Sequence, residues 1–161
     1  MKKSENSAVN KTLRIYQKLV RYPFGNYLFS KVVCRTAPYF SSIYPLITDL
    51  RVNHCECIIR KRKRVFNHIK TVHVIAICNG LEMAMGVMAE ASVPKHLRWI
   101  PKGMTVEYTA KAGSDIRCVA KMSAEQWQPG EQSVQVEAFD DNQVVVVKGL
   151  IKLWISEKPT R

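Results

Sequence analysis

The chain has 161 residues, of which 47% are hydrophobic, and a formal net charge of +12. This length and composition fit one globular domain with a single core, and they exclude a repetitive or intrinsically disordered protein. Six basic residues lie between Arg60 and Lys70 with no acid among them, and a second basic cluster lies in the first 21 residues. The charge predicts an anionic partner, for which nucleic acid, a phosphorylated coenzyme and anionic lipid all qualify.

Residues 1–45 are predicted to form a helical extension, followed by the main domain over residues 46–161. From Val9 to Arg21 apolar residues recur at helical spacing, with basic residues on the opposite face. A second, shorter helix is predicted to end before Pro38, and Pro38 and Pro45 bracket a turn. We expect the first helix to pack over a sheet, with contact to an anionic membrane surface as the alternative.

The middle of the chain is predicted to contain strands and then a long apolar helix. Residues Ile47 to Arg60 predict two strands or one bent strand, and Lys61 to Arg64 predict an exposed turn. From Val72 to Ala91 apolar residues occupy every side of the predicted helix, so we expect it to be buried all round. A carboxylate at Glu82 in such a helix requires a compensating partner or a function.

The last third of the chain has the alternating pattern of antiparallel strands. Apolar residues recur with period two in three predicted strands, and Asp140 to Asn142 predict a turn before a last strand, Val144 to Ile155. The three are Val106 to Ala110, Ile116 to Met122 and Val134 to Ala138. An antiparallel sheet around one long helix is an α+β architecture, and this order of elements is that of the hotdog fold.

A motif at the start of the long helix resembles that of acyl-CoA thioesterases with the hotdog fold, including phenylacetyl-CoA thioesterase-like proteins. Their pattern is Asn, Gly, Thr, Val, His, Gly, Gly and a downstream acid. The matching residues here are Asn67, His68, Thr71, Val72, His73 and Glu82. Ala37 to Phe40 and Trp99 to Tyr108 are similar to stretches of one hotdog subfamily, so the resemblance covers nearly the whole chain.

The resemblance implies roles for four residues. The backbone N–H of Val74 would polarise the thioester carbonyl, because a helix start offers unpaired donors. Glu82 would act as a general base on water or as a nucleophile, and Asn67 would hold the water or the carboxylate. His73 is expected either to fix the helix start or to take part in catalysis.

Glu82 follows His73 by nine residues, which places it roughly 13 Å further along the helix axis. One carbonyl carbon cannot contact both residues. A site that uses both therefore requires two subunits with antiparallel helices, which predicts a homodimer or a dimer of dimers with two equivalent sites per dimer.

The substrate-binding residues are predicted from chemistry. Arg64 and Lys102 would attract the phosphates of coenzyme A, which belongs to the substrate, so no separate cofactor is expected. Asn79 and Met83 would line the substrate site, together with Met85 and Met88 as adaptable apolar lining.

Each of these residues also has a purely structural interpretation. Asn67 would cap a turn, Glu82 would be satisfied by Asn79 or the backbone, and the methionines would fill the core. In addition, Val74 and Ile75 stand where the resembled family has two glycines, so they would crowd the approach of a thioester.

Two function classes follow: a hydrolase of acyl-CoA or acyl-carrier thioesters, and a non-catalytic binder of acyl-CoA or lipid. A hotdog hydratase and a nucleic-acid binder are further alternatives, but no nucleic-acid partner is expected because the run Arg60 to Arg64 lacks interleaved aromatic residues.

The five cysteines are odd in number and come without a secretory leader, which predicts free thiols in a soluble cytoplasmic protein. Cys55 and Cys57 lack the second pair that a zinc site requires, so no metal site is expected. No apolar run without polar breaks is long enough to span a bilayer, so no stable membrane insertion is expected.

Overall fold

A computed structural model describes residues 10–159. Val9, where the first helix is predicted to begin, lies outside them. The helices are α1 (Lys11–Leu19), α2 (Gly25–Thr36) and α3 (Val74–Ser92), with 3-10 turns at Pro38–Ile43, Lys63–Val65 and Ala124–Gln126. The strands are β1 (Leu46–Arg51), β2 (His54–Ile59), β3 (Leu97–Tyr108), β4 (Ile116–Lys121), β5 (Gly130–Phe139) and β6 (Val145–Glu157).

The six strands form one antiparallel sheet in the order β1-β2-β4-β5-β6-β3, and α3 packs against one of its faces. Alternate residues of each inner strand point into the core, as Val134, Val136 and Ala138 of β5 do, because side chains in a strand alternate between two faces. A long helix wrapped by an antiparallel sheet confirms the predicted α+β class and the hotdog fold. The predicted antiparallel strands and the turn at Asp140 are also present; β4, β5 and β6 pair in succession, whereas β3 pairs with β6 and not with β4.

The predicted N-terminal helices are present and pack on α3 and β1. Tyr16 of α1 meets Phe29 of α2 edge to face, with ring centroids 5.1 Å apart, and both side chains are buried. The buried Ser30 hydroxyl accepts a hydrogen bond of 2.8 Å from the Ile47 N–H, which fixes α2 to β1. The boundary at residue 45 stays a prediction, since the two helices share a core with the domain.

The prediction that the long helix is buried all round is wrong. Ile75 is 58% exposed, Glu82 and Glu90 are exposed, and Asn79 is half-buried, so these residues form one outward stripe of α3. The hydrophobic pattern of the sequence does not reveal this exposed stripe, because one of its residues, Ile75, is apolar. The helix has the length and hydropathy of a membrane span, but 61% of that window is buried inside the fold, as for a core helix.

Strand β3 begins nine residues before the predicted strand at Val106 and runs through Pro101. Proline cannot donate to a strand ladder, which is why the sequence suggested a break. It is tolerated here because β3 is an edge strand, and the pairing register with β6 shifts between Pro101 and Gly103.

Close packing of β3 on β6 depends on Gly149. A Cβ at this position would lie 2.1 Å from the Thr105 carbonyl oxygen and 2.9 Å from Val106 Cα. We therefore expect Gly149→Ala to lower the free energy of unfolding by about 3 kcal/mol in chemical denaturation, because the backbone of β3 must move. Gly113→Ala is the control, since a Cβ there would meet nothing within 4 Å. Equal effects of the two substitutions would contradict this.

Candidate active site

The start of α3 is held by His73, the residue that precedes the helix. Its Nδ1 accepts a hydrogen bond of 3.1 Å from the Ile75 N–H, so Nδ1 carries no proton in this arrangement. The His73 carbonyl accepts from the N–H groups of Ala76 and Ile77, and its own N–H donates to the Val65 carbonyl. His73 therefore fixes the first turn of the helix, which is one of the two roles predicted for it.

The Val74 N–H remains free. Within residues 10–159, no group accepts a hydrogen bond from it, whereas the N–H groups of His73, Ile75 and Ala76 are all satisfied. An unpaired donor at the positive end of a 19-residue helix suits a developing negative charge. The resemblance to hotdog thioesterases implies this amide as the oxyanion donor, and that role stays a prediction.

Asn67 organises the loop that leads to this helix. Its Oδ1 accepts from the N–H groups of Ile69 (3.1 Å) and Thr71 (3.0 Å), and its Nδ2 donates to Thr71 Oγ1 at 2.7 Å. The side chain is thus bonded within its own loop, as the structural interpretation expects. A role in holding water stays a prediction.

A cavity of about 470 Å³ opens at the helix start. Asn67, His73 and Val74 line it together with Tyr108 and Lys111. Lys111 is a basic residue that the sequence analysis did not single out, because it lies in a loop beyond β3 and only the fold brings it to the helix start. The cavity thus has a backbone donor, an aromatic ring and a cation at its walls.

Glu82 lines a second cavity, of about 490 Å³, that is mostly apolar. Its floor is formed by Met85, Gly86 and Val87 of α3, and Trp99 closes one side. The Trp99 indole N–H donates to Glu90 Oε1 at 3.1 Å, which fixes the ring beside Gly86. The carboxylate of Glu82 therefore lies beside an apolar chamber.

The N-terminal helices form the opposite wall of this chamber. Ile15 of α1 and Phe29, Val32, Val33 and Thr36 of α2 line it. The sequence predicted the helices but not this role, because a cavity depends on the spacing between packed elements and leaves no local pattern.

One chain does not bring the predicted catalytic residues together. Asn67, His73 and Val74 line the cavity at the helix start, and Glu82 lines the apolar cavity further along α3. This separation agrees with the axial distance of roughly 13 Å between His73 and Glu82.

The predicted substrate-binding residues are dispersed. Arg64 and Asn79 line one cavity of about 360 Å³ beside Ile75. Arg64 also donates a hydrogen bond to the Tyr44 hydroxyl, which lies outside this cavity. Lys102 is exposed at the irregular step of β3, between Pro101 and Gly103, and lines none of the three cavities described above. Met83 is fully buried in the core, whereas Met85 lines the cavity beside Glu82.

The described cysteines are all free, and burial raises the pKa of the Cys55 thiol well above its usual value. A cluster that was not predicted lies on the outer face of β1 and β2, where Asp49, His54 and Glu56 bring possible ligand atoms within 4.8 Å of one another. Both carboxylates already pair with arginines, Asp49 with Arg51 at 2.8 Å and Glu56 with Arg117 at 3.3 Å.

Comparisons with known proteins agree with this architecture. A family model described as a domain of unknown function, DUF4442, matches residues 25–155. The crystal structure of structural-genomics target APC5556 is 41% identical and covers 91% of this chain and 99% of its own, with a TM-score of 0.81.

Two more distant structures confirm the resemblance to hotdog thioesterase-like proteins at the level of the fold. The probable thioesterase PA5026 from Pseudomonas aeruginosa is 18% identical, with a TM-score of 0.74 over 85% of this chain and 97% of that one. A thioesterase family protein from Silicibacter pomeroyi is 13% identical, with a TM-score of 0.68 over 80% and 96%. No curated protein matches the chain.

Proposed function

The chain belongs to the DUF4442 family, and from the site that its fold builds we propose that it is a thioester hydrolase. The observation that carries the proposal is the free N–H of Val74 at the start of α3. This donor opens on a cavity with a basic wall, and Glu82, an exposed carboxylate on the same helix, lies beside an apolar chamber. These are the groups that thioester hydrolysis requires.

In the proposed reaction the Val74 N–H holds the thioester carbonyl oxygen. Glu82 takes a proton from water, whose oxygen attacks the carbonyl carbon to give a tetrahedral oxyanion. The oxyanion collapses, the carbon–sulfur bond breaks, and the thiolate leaves with the proton that Glu82 held. Direct attack by the carboxylate, followed by hydrolysis of the anhydride, is the second route and gives the same products.

We further propose that each site is shared by two copies of the chain. Since Val74 and Glu82 line different cavities of one chain, a second copy must supply the missing half. Strand β3 supports a dimer, because it is a 12-residue edge strand that pairs only with β6 in the described part of the chain. Antiparallel pairing of two such edges would satisfy their free backbone groups, with Trp99 and Pro101 of β3 already beside Glu82.

The substrate class is an acyl group on coenzyme A or on a carrier protein. Lys111 beside Val74, with Arg64 on the neighbouring cavity, would attract the phosphates that both carriers contain. The apolar chamber beside Glu82 would hold the acyl group. Such substrates and the free thiols agree with a cytoplasmic location, which we propose on this ground.

The test is release of free thiol from a panel of acyl-CoA esters of increasing chain length. We expect turnover above background, with a preference that Val33→Trp shifts toward shorter acyl groups because the larger ring fills the chamber. For the longest substrates we expect kcat/KM to fall about tenfold in this variant. This corresponds to the free energy of burying roughly two methylene groups, which the variant chamber no longer accommodates.

Acyl-CoA binding measured by calorimetry without any thiol release would contradict hydrolysis and support the non-catalytic binder instead. In that case replacing Val74 and Ile75 by glycine should produce turnover, because this removes two β-branched side chains that crowd the helix start. One of them, Ile75, is 58% exposed.

A further inference from the structure

The helical extension has an unusual surface. Between residues 10 and 45 the chain has six lysines and arginines and no acid. Eight of the sixteen large apolar side chains that are exposed in the described structure also lie in this segment, among them Tyr22, Phe24, Tyr27 and Leu28. Cationic and apolar groups together, without acids, are the composition of a surface that binds an anionic membrane.

Phe24 stands at the corner between α1 and α2. Its side chain is 82% exposed, and its backbone has a φ of 63°, in the left-handed region. Bulky residues are disfavoured in this conformation, where Asn and Gly are the usual choices. Neither the backbone conformation nor core packing therefore accounts for phenylalanine at this position.

The corner continues into an open groove of about 550 Å³ that has aromatic and basic walls. Phe24, Tyr27 and Lys31 line one side, and Tyr44 and Arg62 line the other. The Lys31 ammonium lies 5.3 Å from the Tyr27 ring centre, and the Arg62 guanidinium lies 4.6 Å from that of Tyr44. No acidic residue lines this groove. Lys31 is exposed and forms no ion pair within residues 10–159, so it is available to the phosphates of a membrane surface, whereas Arg60, which also lines the groove, pairs with Asp115 at 3.3 Å.

We propose that the corner between α1 and α2 binds reversibly to membranes that contain anionic phospholipid. The aromatic side chains at the corner enter the headgroup region, and Arg21 and Lys31 contact lipid phosphates. Nucleic acid also binds basic and aromatic surfaces, where bases stack on the rings. The exposed Val20 and Leu28 add aliphatic side chains that stacking does not use, which favours lipid.

This docking surface and the apolar chamber share one helix. Tyr27, Leu28 and Lys31 of α2 are exposed, whereas Phe29 and Val33 line the chamber beside Glu82. Helix α2 would therefore be the element that separates a membrane bound at the corner from the chamber. The proposal does not depend on hydrolysis and can be tested in a protein without activity.

The experiment is flotation of the full-length protein with phosphatidylcholine vesicles, with and without phosphatidylglycerol. We expect binding only to the anionic vesicles, and weaker binding at higher salt. Phe24→Asn should reduce the vesicle partition coefficient about tenfold, because the ring no longer enters the interface. Asparagine suits the left-handed backbone, so this variant should unfold at an unchanged or higher temperature.

The charge contribution is tested by Arg21→Gln with Lys31→Gln, which should reduce partitioning about 30-fold, or about fivefold for each basic residue near an anionic surface. The matched control is Lys95→Gln with Lys121→Gln, which removes the same charge from exposed positions outside the extension and should change partitioning less than twofold.

Three results would overturn the proposal: equal binding to neutral vesicles, equal loss in both pairs of charge variants, or full binding by Phe24→Asn. Salt-sensitive binding to single-stranded RNA with no vesicle binding would assign the surface to nucleic acid instead.

Discussion

Replacing Val74 by proline is expected to lower kcat for thioester hydrolysis by about 100- to 1000-fold, the loss typical for one oxyanion donor. Proline removes the N–H and little else, because the first position of a helix is where proline fits best. The preceding His73 has φ −65° and ψ 134°, an extended conformation that a following proline allows. The Val74 N–H has no partner within residues 10–159, so no hydrogen bond is lost there.

The matched control is Val74→Ala, which shortens the same side chain but keeps the amide. We expect kcat for this variant to lie within about threefold of the native value, a difference of under about 1 kcal/mol in activation free energy. Thermal unfolding followed by circular dichroism should be unchanged in both variants. If proline and alanine have the same activity, the Val74 N–H is not the oxyanion donor.

Replacing Glu82 by glutamine is expected to lower kcat by about 100- to 10000-fold, the range for loss of a general base. Glutamine has nearly the same shape but cannot take a proton from water. Stability should not change, because Glu82 is exposed in the single chain. The measurement is steady-state thiol release together with thermal unfolding.

Glu90→Gln provides the control for this variant. Glu90 is a second exposed carboxylate on the same stripe of α3 and lines the same chamber, where it accepts a hydrogen bond from Trp99. A glutamine oxygen can accept that bond as well, so we expect near-native turnover. Equal loss of activity in the two variants would show that charge in the chamber matters and that Glu82 has no special role.

Most of the fold could be predicted from periodicity. The period-two pattern found β4 and β5, and helical spacing found α1, because each buries one regular face, whereas α3 was found from its long apolar run. The start of β3 could not be found in this way. Pro101 lies inside the strand, and an edge position makes a proline acceptable only once the order of the sheet is known.

Burial around α3 was harder to predict. Apolar residues occur on all sides of this helix, so hydrophobic periodicity alone places Glu82 in the core. The fold instead leaves one stripe of α3 open, with Ile75 and Glu82 on it. An exposed isoleucine on the same stripe as an exposed carboxylate is understandable if a second copy of the chain covers this stripe, as the proposed dimer requires.

The candidate site was predicted in its chemistry but not in its surroundings. His73, Val74 and Asn67 follow from a local motif, which sequence similarity can detect because it lies in one short segment. The chamber beside Glu82 has walls from α1, α2, α3 and β3, and the groove at Phe24 joins two distant segments. Such contacts between segments depend on tertiary packing, about which one sequence alone contains little information.

The most direct test of the shared site is to mix two inactive variants. Glu82→Gln keeps the native Val74 amide, and Val74→Pro keeps the native carboxylate. When the two are unfolded, combined in equal amounts and refolded, random pairing makes half of the dimers hybrid, and each hybrid has one intact site of its two. We therefore predict recovery of about a quarter of native activity. No recovery, with hybrid dimers shown to be present by native mass spectrometry, would contradict a site shared between two chains.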